Sequence, residues 1–337
     1  MKKFLLKVSI FAVYAVLMSV IIPILVDPFN VFHAEHIRAN GIEPNKHYIK
    51  MKYILANPKK FDSFIFGSSR VGSIHTDKIA NERCYNMTYS AGLPGHHLSN
   101  IKTFLKNGIC PKKLYIGLDS LSFTCSYEAQ ENEPLRCPYE YLVDDTWYFL
   151  KLYLNPAMVL RAIWVILSGS SSRIDVDVFY KYGCNVSTTT ERKYDWSKAE
   201  PSVGNKVDID KALEFIRETA DICRDNGIEL ILFTNPMHRI TYMASVKDKD
   251  YFKFLEGLAE ISEFWNFSSL NDVTINNANY REPSHYRAHV GDLIIDIMCN
   301  GKSYPELQRQ GFGVKVTREN IRDFIDILRR QYEELRQ

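Results

Sequence analysis

The stretch "FDSFIFGSSRVGSIHTD", residues 61–77, runs from alternating apolar positions into a glycine, two hydroxyl residues and an arginine before a helix-like pattern resumes. Residues 61–66 read as a strand because the apolar side chains repeat with the period of an extended chain. Gly67 lets the backbone turn sharply and lets a ligand approach it closely. The hydroxyl residue that follows would then sit where free N–H groups at the start of a helix favour negative charge.

Outward from this point the same rhythm repeats. "CYNMTYS", "KKLYIGLDS" and "IELILFTNP" read as three further strands, and a short fifth is expected near "FWNFSS". Between them lie helical patterns. In "DIDKALEFIRETADICRDNG", Ile209, Leu213, Ile216 and Ala220 form one apolar stripe, and Asn226-Gly227 supplies a stop before the next strand. Strands alternating with helices of this length build a parallel sheet covered on both faces, so the fold class is α/β.

Residues 120–207 break the rhythm. They are rich in aromatic residues and carry "AMVLRAIWVILSGSSS", an apolar run interrupted by Arg161 and short for a bilayer crossing. An insertion folding over one end of the sheet is the expectation, with a second membrane-contacting helix as the alternative. The core domain is therefore read as 61–300, followed by a tail, 301–337. That tail ends in an amphipathic helix with Ile321, Phe324, Ile325, Leu328 and Leu335 at helical spacing.

The chain has 337 residues, 46% of them hydrophobic, with 42 basic and 40 acidic side chains. A net charge of +2 provides no broad electropositive field, so nucleic acid is not an expected partner. The N-terminus differs from the rest. Lys2, Lys3 and Lys7 precede an uncharged run from Val8 to Val26, about long enough as a helix to cross the hydrocarbon layer. No small-x-small cleavage site follows it, which favours an uncleaved anchor over residues 1–27 against a cleaved signal peptide or a buried core helix. By the positive-inside rule the N-terminus is cytoplasmic and the remainder extracytoplasmic. Residues 28–60 then form a juxtamembrane connector ending in a short helix that Asn57-Pro58 closes. His33 and His36 within it read as interfacial polar residues.

Seven cysteines are scattered without a Cys-x-x-Cys pair, so neither a zinc ribbon nor a thioredoxin-type site is suggested. Cys125 could pair with Cys137 or Cys184 in an oxidising compartment.

A serine needs a base, and the base needs an orienting partner, to become a nucleophile. Glu282 and His285 in "EPSHYR" are three positions apart and can supply both: the carboxylate on one ring nitrogen, the other nitrogen free for a hydroxyl. The candidate catalytic set is Ser69, His285 and Glu282.

These blocks resemble the SGNH, or GDSL-like, hydrolases. Within them the resemblance is to the membrane-anchored bacterial group of teichoic acid D-alanylation and alginate O-acetylation proteins. Gly67-Ser68-Ser69 stands where the family has its first block, Gly92 in "YNMTYSAGLPG" where it has a glycine, and Glu282-Pro283-Ser284-His285 where it has Asp-x-x-His. The resemblance covers about residues 60–300. It implies a flavodoxin-like three-layer sandwich with a parallel sheet of about five strands, and a serine acyltransferase or esterase that needs no cofactor. Ser69 would attack an acyl carbonyl while His285 takes its proton. The Ser69 and Gly92 N–H groups would stabilise the oxyanion. It further implies a cell-envelope glycan or teichoic-type polymer as substrate, and a multi-spanning membrane-bound O-acyltransferase as partner.

Two departures stand out. Glutamate replaces the usual aspartate, leaving a Ser-His dyad with a weak orienter as an alternative. "YIGLDSLSF" offers Gly117 and Asp119 where the family places an asparagine, so Asn235 in "FTNPMH" becomes the candidate third oxyanion donor. Arg70 and Asp119 are candidate substrate contacts, Arg70 with a structural ion pair as its alternative role. His96 and His97 mark a helix start, with a substrate contact as the alternative. His285 and His289, four apart beside Glu282, would suit a metal-dependent hydrolase, although no further ligand cluster of matching spacing accompanies them. A catalytically inactive glycan-binding or assembly protein on the same fold is the remaining alternative.

Overall fold

The computed structural model describes residues 1–32, 42–128, 136, 138–140, 156–168, 176–183, 194–248 and 250–336. His33, His36, Cys137 and Cys184 lie outside the described residues, as does much of 120–207. The strands are β1 (Ser63–Gly67), β2 (Cys84–Asn86), β3 (Lys113–Leu118), β4 (Glu229–Thr234), β5 (Phe264–Asn266), β6 (Tyr280–Glu282), β7 (His285–Tyr286) and β8 (Val314–Val316). The main helices are α1 (Lys2–Val26), α2 (Lys46–Ala56), α3 (Pro94–Lys106), α4 (Pro156–Ser168), α5 (Val176–Tyr182), α6 (Ile209–Asp225), α7 (Arg239–Asp248), α8 (Tyr251–Ile261), α9 (Ala288–Met298) and α10 (Ile321–Arg336).

Six strands form the main sheet in the order β2-β1-β3-β4-β5-β8, parallel except for the β5–β8 pair. The first five follow the 2-1-3-4-5 order of doubly wound sheets. Alternation along each strand divides the core in two. Phe64, Phe66, Ile116 and Leu232 pack with Ile101 and Phe104 of α3, Ile216 of α6 and Phe254 of α8. Ile65, Tyr115 and Phe233 face the other way, against Val290, Ile294 and Ile295 of α9. Helices thus cover both faces.

Three details differ from the sequence reading. The sheet has a sixth, antiparallel strand, so residues beyond 300 complete the sheet instead of forming only a tail. In α10, Ile321, Phe324, Ile325 and Leu328 are buried, whereas Leu335 is exposed. On α6 the buried stripe is Ile209, Ala212, Ile216, Thr219 and Cys223, with Leu213 and Ala220 at its margin.

The segment read as a connector is also built into the core. Met51 and Ile54 of α2 join the main apolar cluster. Lys50 is fully buried, and its Nζ donates to the carbonyls of Asn86 (2.8 Å), Thr88 (2.7 Å) and Gly183 (2.6 Å). A buried ammonium is tolerated only when its donors are paired, and here the pairing ties α2 to the end of β2. Within 120–207, residues 202–208 return over the carboxyl end of the sheet, where Lys206 and Asp208 donate backbone hydrogen bonds to Thr124 and Phe123. Helix α4 instead packs on α1.

Helix α1 has 25 residues, is almost wholly exposed, and is long and apolar enough to cross a membrane. It ends at Asp27, whose buried carboxylate accepts the N–H groups of Val31 (2.9 Å) and Phe32 (2.8 Å). That cap fixes the turn by which the chain leaves the helix.

Candidate active site

In sheets of this order, ligands bind outside the carboxyl ends of the strands, beside the switch point where successive connections leave in opposite directions. Here that point lies between β1 and β3. Gly67 pairs with Gly117 across them, and a Cβ on Gly67 would lie 2.6 Å from Val71 Cγ1 and 2.9 Å from the Gly117 carbonyl oxygen. The glycine is therefore required by close packing. The chain turns immediately after it into a five-residue 3-10 helix, Ser69–Ser73, a single tight turn where a longer helix was expected. Ser69 is half-buried at its start, and its N–H has no acceptor among the described residues.

The turn is held from several sides. The Ser68 hydroxyl accepts the Arg70 N–H (3.4 Å) and donates to Asp119 Oδ2 (2.8 Å). Thr88 Oγ1 donates to the Ser68 carbonyl (2.7 Å), and Asn86 Nδ2 donates to the carbonyls of Val71 (2.8 Å) and Ile74 (3.2 Å). Sequence reasoning passed over Ser68, Asn86 and Thr88. The signal of Asn86 and Thr88 was present as polar residues two apart in "YNMT", an unusual pattern on a buried strand end, whereas Ser68 was read only as part of the Gly67-Ser68-Ser69 block.

The loop before α9 folds into a small antiparallel ribbon, β6–β7, in which Glu282 pairs directly with His285 across Pro283-Ser284. That places the carboxylate on the imidazole. His285 Nδ1 bonds Glu282 Oε1, and Glu282 Oε2 accepts the Ser284 N–H at 2.7 Å. With Nδ1–H donating to glutamate, Nε2 is the acceptor, and it receives the Ser69 hydroxyl at 2.7 Å. The structure thus brings together all three residues of the expected set across 216 positions of sequence. Burial alone would raise the Glu282 carboxyl. The hydrogen bonds from His285 and Ser284 and the charge of Arg70 outweigh it and hold the group below the ordinary glutamate value. It remains an ionised orienter for the imidazole.

Of the two candidate substrate contacts, Arg70 takes its alternative role, a structural ion pair, and Asp119 is the partner. Each is 1% exposed, and they form an ion pair with one another. Arg70 Nε also donates to the Ser284 carbonyl (3.0 Å) and Nη2 to the Ser202 carbonyl (2.9 Å). One guanidinium thereby braces the Ser69 turn against the ribbon that carries Glu282 and His285. Asn235, expected in the oxyanion hole, belongs to the same buried network. Its Nδ2 donates to Asp119 (3.3 Å) and its Oδ1 accepts the Tyr286 hydroxyl (3.2 Å).

A Cβ on Gly92 would lie 2.5 Å from the Gly67 carbonyl oxygen, so the loop after β2 presses against the end of β1, just before Ser69. Its N–H has no acceptor among the described residues. The Ser69 and Gly92 backbone donors are therefore both unengaged among the described residues. His289 bonds Asn279 Oδ1 (2.9 Å), and among the described residues no three His, Cys, Asp or Glu side chains are grouped to hold a metal ion. Cys125 is a free thiol.

His96 and His97 are buried rather than presented to a ligand, and His97 Cε1 would meet a Cβ on Gly92 at 2.9 Å. With His47, stacked on Tyr89 at 4.2 Å, they form an imidazole cluster beneath the Gly92 loop. Burial lowers the proton affinity of all three, in His97 to about 3, and His47 adds to the effect on its neighbours. The unfolded chain takes up these protons near 6.5, the folded chain only at lower pH. Stability should therefore fall as pH drops through 6.5, by up to about 1.4 kcal/mol per pH unit for each histidine. Urea midpoints at pH 7.5 and 5.5 measure this, and His97→Gln should flatten the profile. Equal midpoints at the two pH values would contradict it.

Comparison with protein-family models, with curated proteins and with solved structures finds no match to this chain.

Proposed function

We propose that the protein is a membrane-anchored, extracytoplasmic serine acyltransferase or esterase of the SGNH type. It would act on acyl groups, of the O-acetyl or D-alanyl kind, of a cell-envelope glycan or teichoic-type polymer. The observation that carries this reading is the continuous chain Ser69 Oγ to His285 Nε2 (2.7 Å), and His285 Nδ1 to Glu282, at the carboxyl edge of the sheet. Three groups of the right types at hydrogen-bond distance make the nucleophile, base and orienter of acyl transfer.

In the first half-reaction Ser69 Oγ bonds to the acyl carbon and its proton passes to His285. The Ser69 and Gly92 N–H groups receive the developing oxyanion. His285 then returns the proton to the departing oxygen, leaving the acyl group on Ser69. Water, or a sugar hydroxyl with a multi-spanning acyltransferase as donor partner, reverses the sequence. The anchor reading of α1 puts this chemistry beside the envelope, where such polymers lie.

Incubating the full chain with an acetyl ester and an acetyl-accepting polysaccharide should release acetate, transfer it to the polymer, or both. Neither product above the blank would contradict the proposal. Binding of polysaccharide without either product would favour the second reading, a non-catalytic glycan-binding protein. The engagement of Asn235 in the buried network, which leaves the oxyanion with backbone donors alone, is the observation on that side.

A further inference from the structure

Helix α4 is apolar all round except for Arg161 and the terminal Ser168, yet its large apolar side chains are covered on one side only, as far as the described residues go. Met158 and Ala162 are buried, 1% and 0% exposed, on the side turned to α1. Leu160, Ile163, Trp164 and Leu167, at the i, i+3, i+4, i+7 spacing of a single helical face, are 68%, 40%, 63% and 78% exposed. A stripe of four large apolar side chains ending in an exposed leucine is costly in water. The helix it packs on presents another such surface. Helix α1 leaves nearly all its apolar side chains uncovered, and its partly covered positions, Met18–Val20 among them, lie toward the domain end.

We infer that α4 is a second membrane-embedded helix whose Leu160, Ile163, Trp164 and Leu167 face contacts lipid acyl chains beside the domain end of α1. This rests on the reading of α1 as a membrane helix. Thirteen residues make a helix of about 20 Å, well short of the ~30 Å hydrocarbon layer, so α4 enters only the leaflet next to the domain. Arg161 agrees with that depth. Its guanidinium lies over the Phe29 ring at 5.3 Å, just past the end of α1, where a charged head reaches the interface while its stem stays among apolar groups. A two-helix foot would restrict rotation of the domain about its anchor and hold the serine site at a set attitude to the membrane.

The test uses the full chain in phosphatidylcholine vesicles with brominated acyl chains, which quench tryptophan emission on contact. Helix α1 contains no tryptophan, and Trp164 is one of four in the chain. Trp164 is mostly exposed, so Trp164→Phe leaves the packing intact. The protein should float with the vesicles, the brominated lipid should quench part of its emission, and Trp164→Phe should remove that quenched share. Flotation with quenching unchanged by the substitution would overturn this inference alone. Failure to float would overturn the membrane reading of α1 and this inference with it.

Discussion

Replacing Ser69 by alanine should lower ester turnover by at least roughly 10⁴-fold while leaving the fold intact. Among the described residues the Ser69 hydroxyl bonds His285 alone, and the side chain is half-buried, so removing it opens no cavity in either core cluster. On the proposed mechanism, what is lost is the atom that would bond to the acyl carbon. His285→Ala should cost a similar factor, because the hydroxyl then has no proton acceptor. The double variant should be little worse than either single one, since the two groups act as one unit. Turnover in Ser69→Ala within about tenfold of wild type, in a sample whose urea midpoint is unchanged, would move the nucleophile elsewhere.

Arg70→Met should be the most destabilising of the site substitutions, by about 3–5 kcal/mol, because it leaves the Asp119 carboxylate buried without its countercharge. It also removes the donors to the Ser284 and Ser202 carbonyls, so the ribbon carrying His285 loses its brace. Neutralising the orphaned charge should restore part of the loss: Arg70→Met with Asp119→Asn should unfold at higher urea than Arg70→Met alone. Strict additivity of the two losses would show that the pair is not energetically coupled. A midpoint for Arg70→Met equal to wild type would contradict the burial of the pair altogether.

The contrast between these two residues shows what a sequence can disclose. Ser69, Glu282 and His285 carry local signals: a strand that stops at glycine, and a carboxylate three positions before an imidazole. Their convergence follows from topology, because β1 and the segment before α9 both end at the same edge of a doubly wound sheet. Arg70, by contrast, looks like an accessible cation beside a nucleophile. Nothing local records that Asp119, from the end of a different strand, is its partner. Lys50 is hidden in the same way, since its three carbonyl acceptors lie 36 to 133 positions away.

Short elements were illegible for another reason. Strand β7 is two residues long, too few for alternation to rise above chance, and β8, three long, went unread although β2 and β5, which were read, are no longer. Their pairing is set by tertiary contact. Helix α4 was legible as an apolar helix, but periodicity cannot distinguish a face turned to protein from one turned to lipid. Asn235 was placed correctly at the end of β4, yet its side chain turns into the network and not toward the serine.

Covalent labelling tests whether Ser69 is an activated nucleophile without knowledge of the natural substrate. Treatment of the full chain with a fluorophosphonate, followed by digestion and mass spectrometry, should place one adduct on Ser69, and His285→Ala should suppress it. No adduct, or an adduct on another residue that persists in Ser69→Ala, would contradict the account.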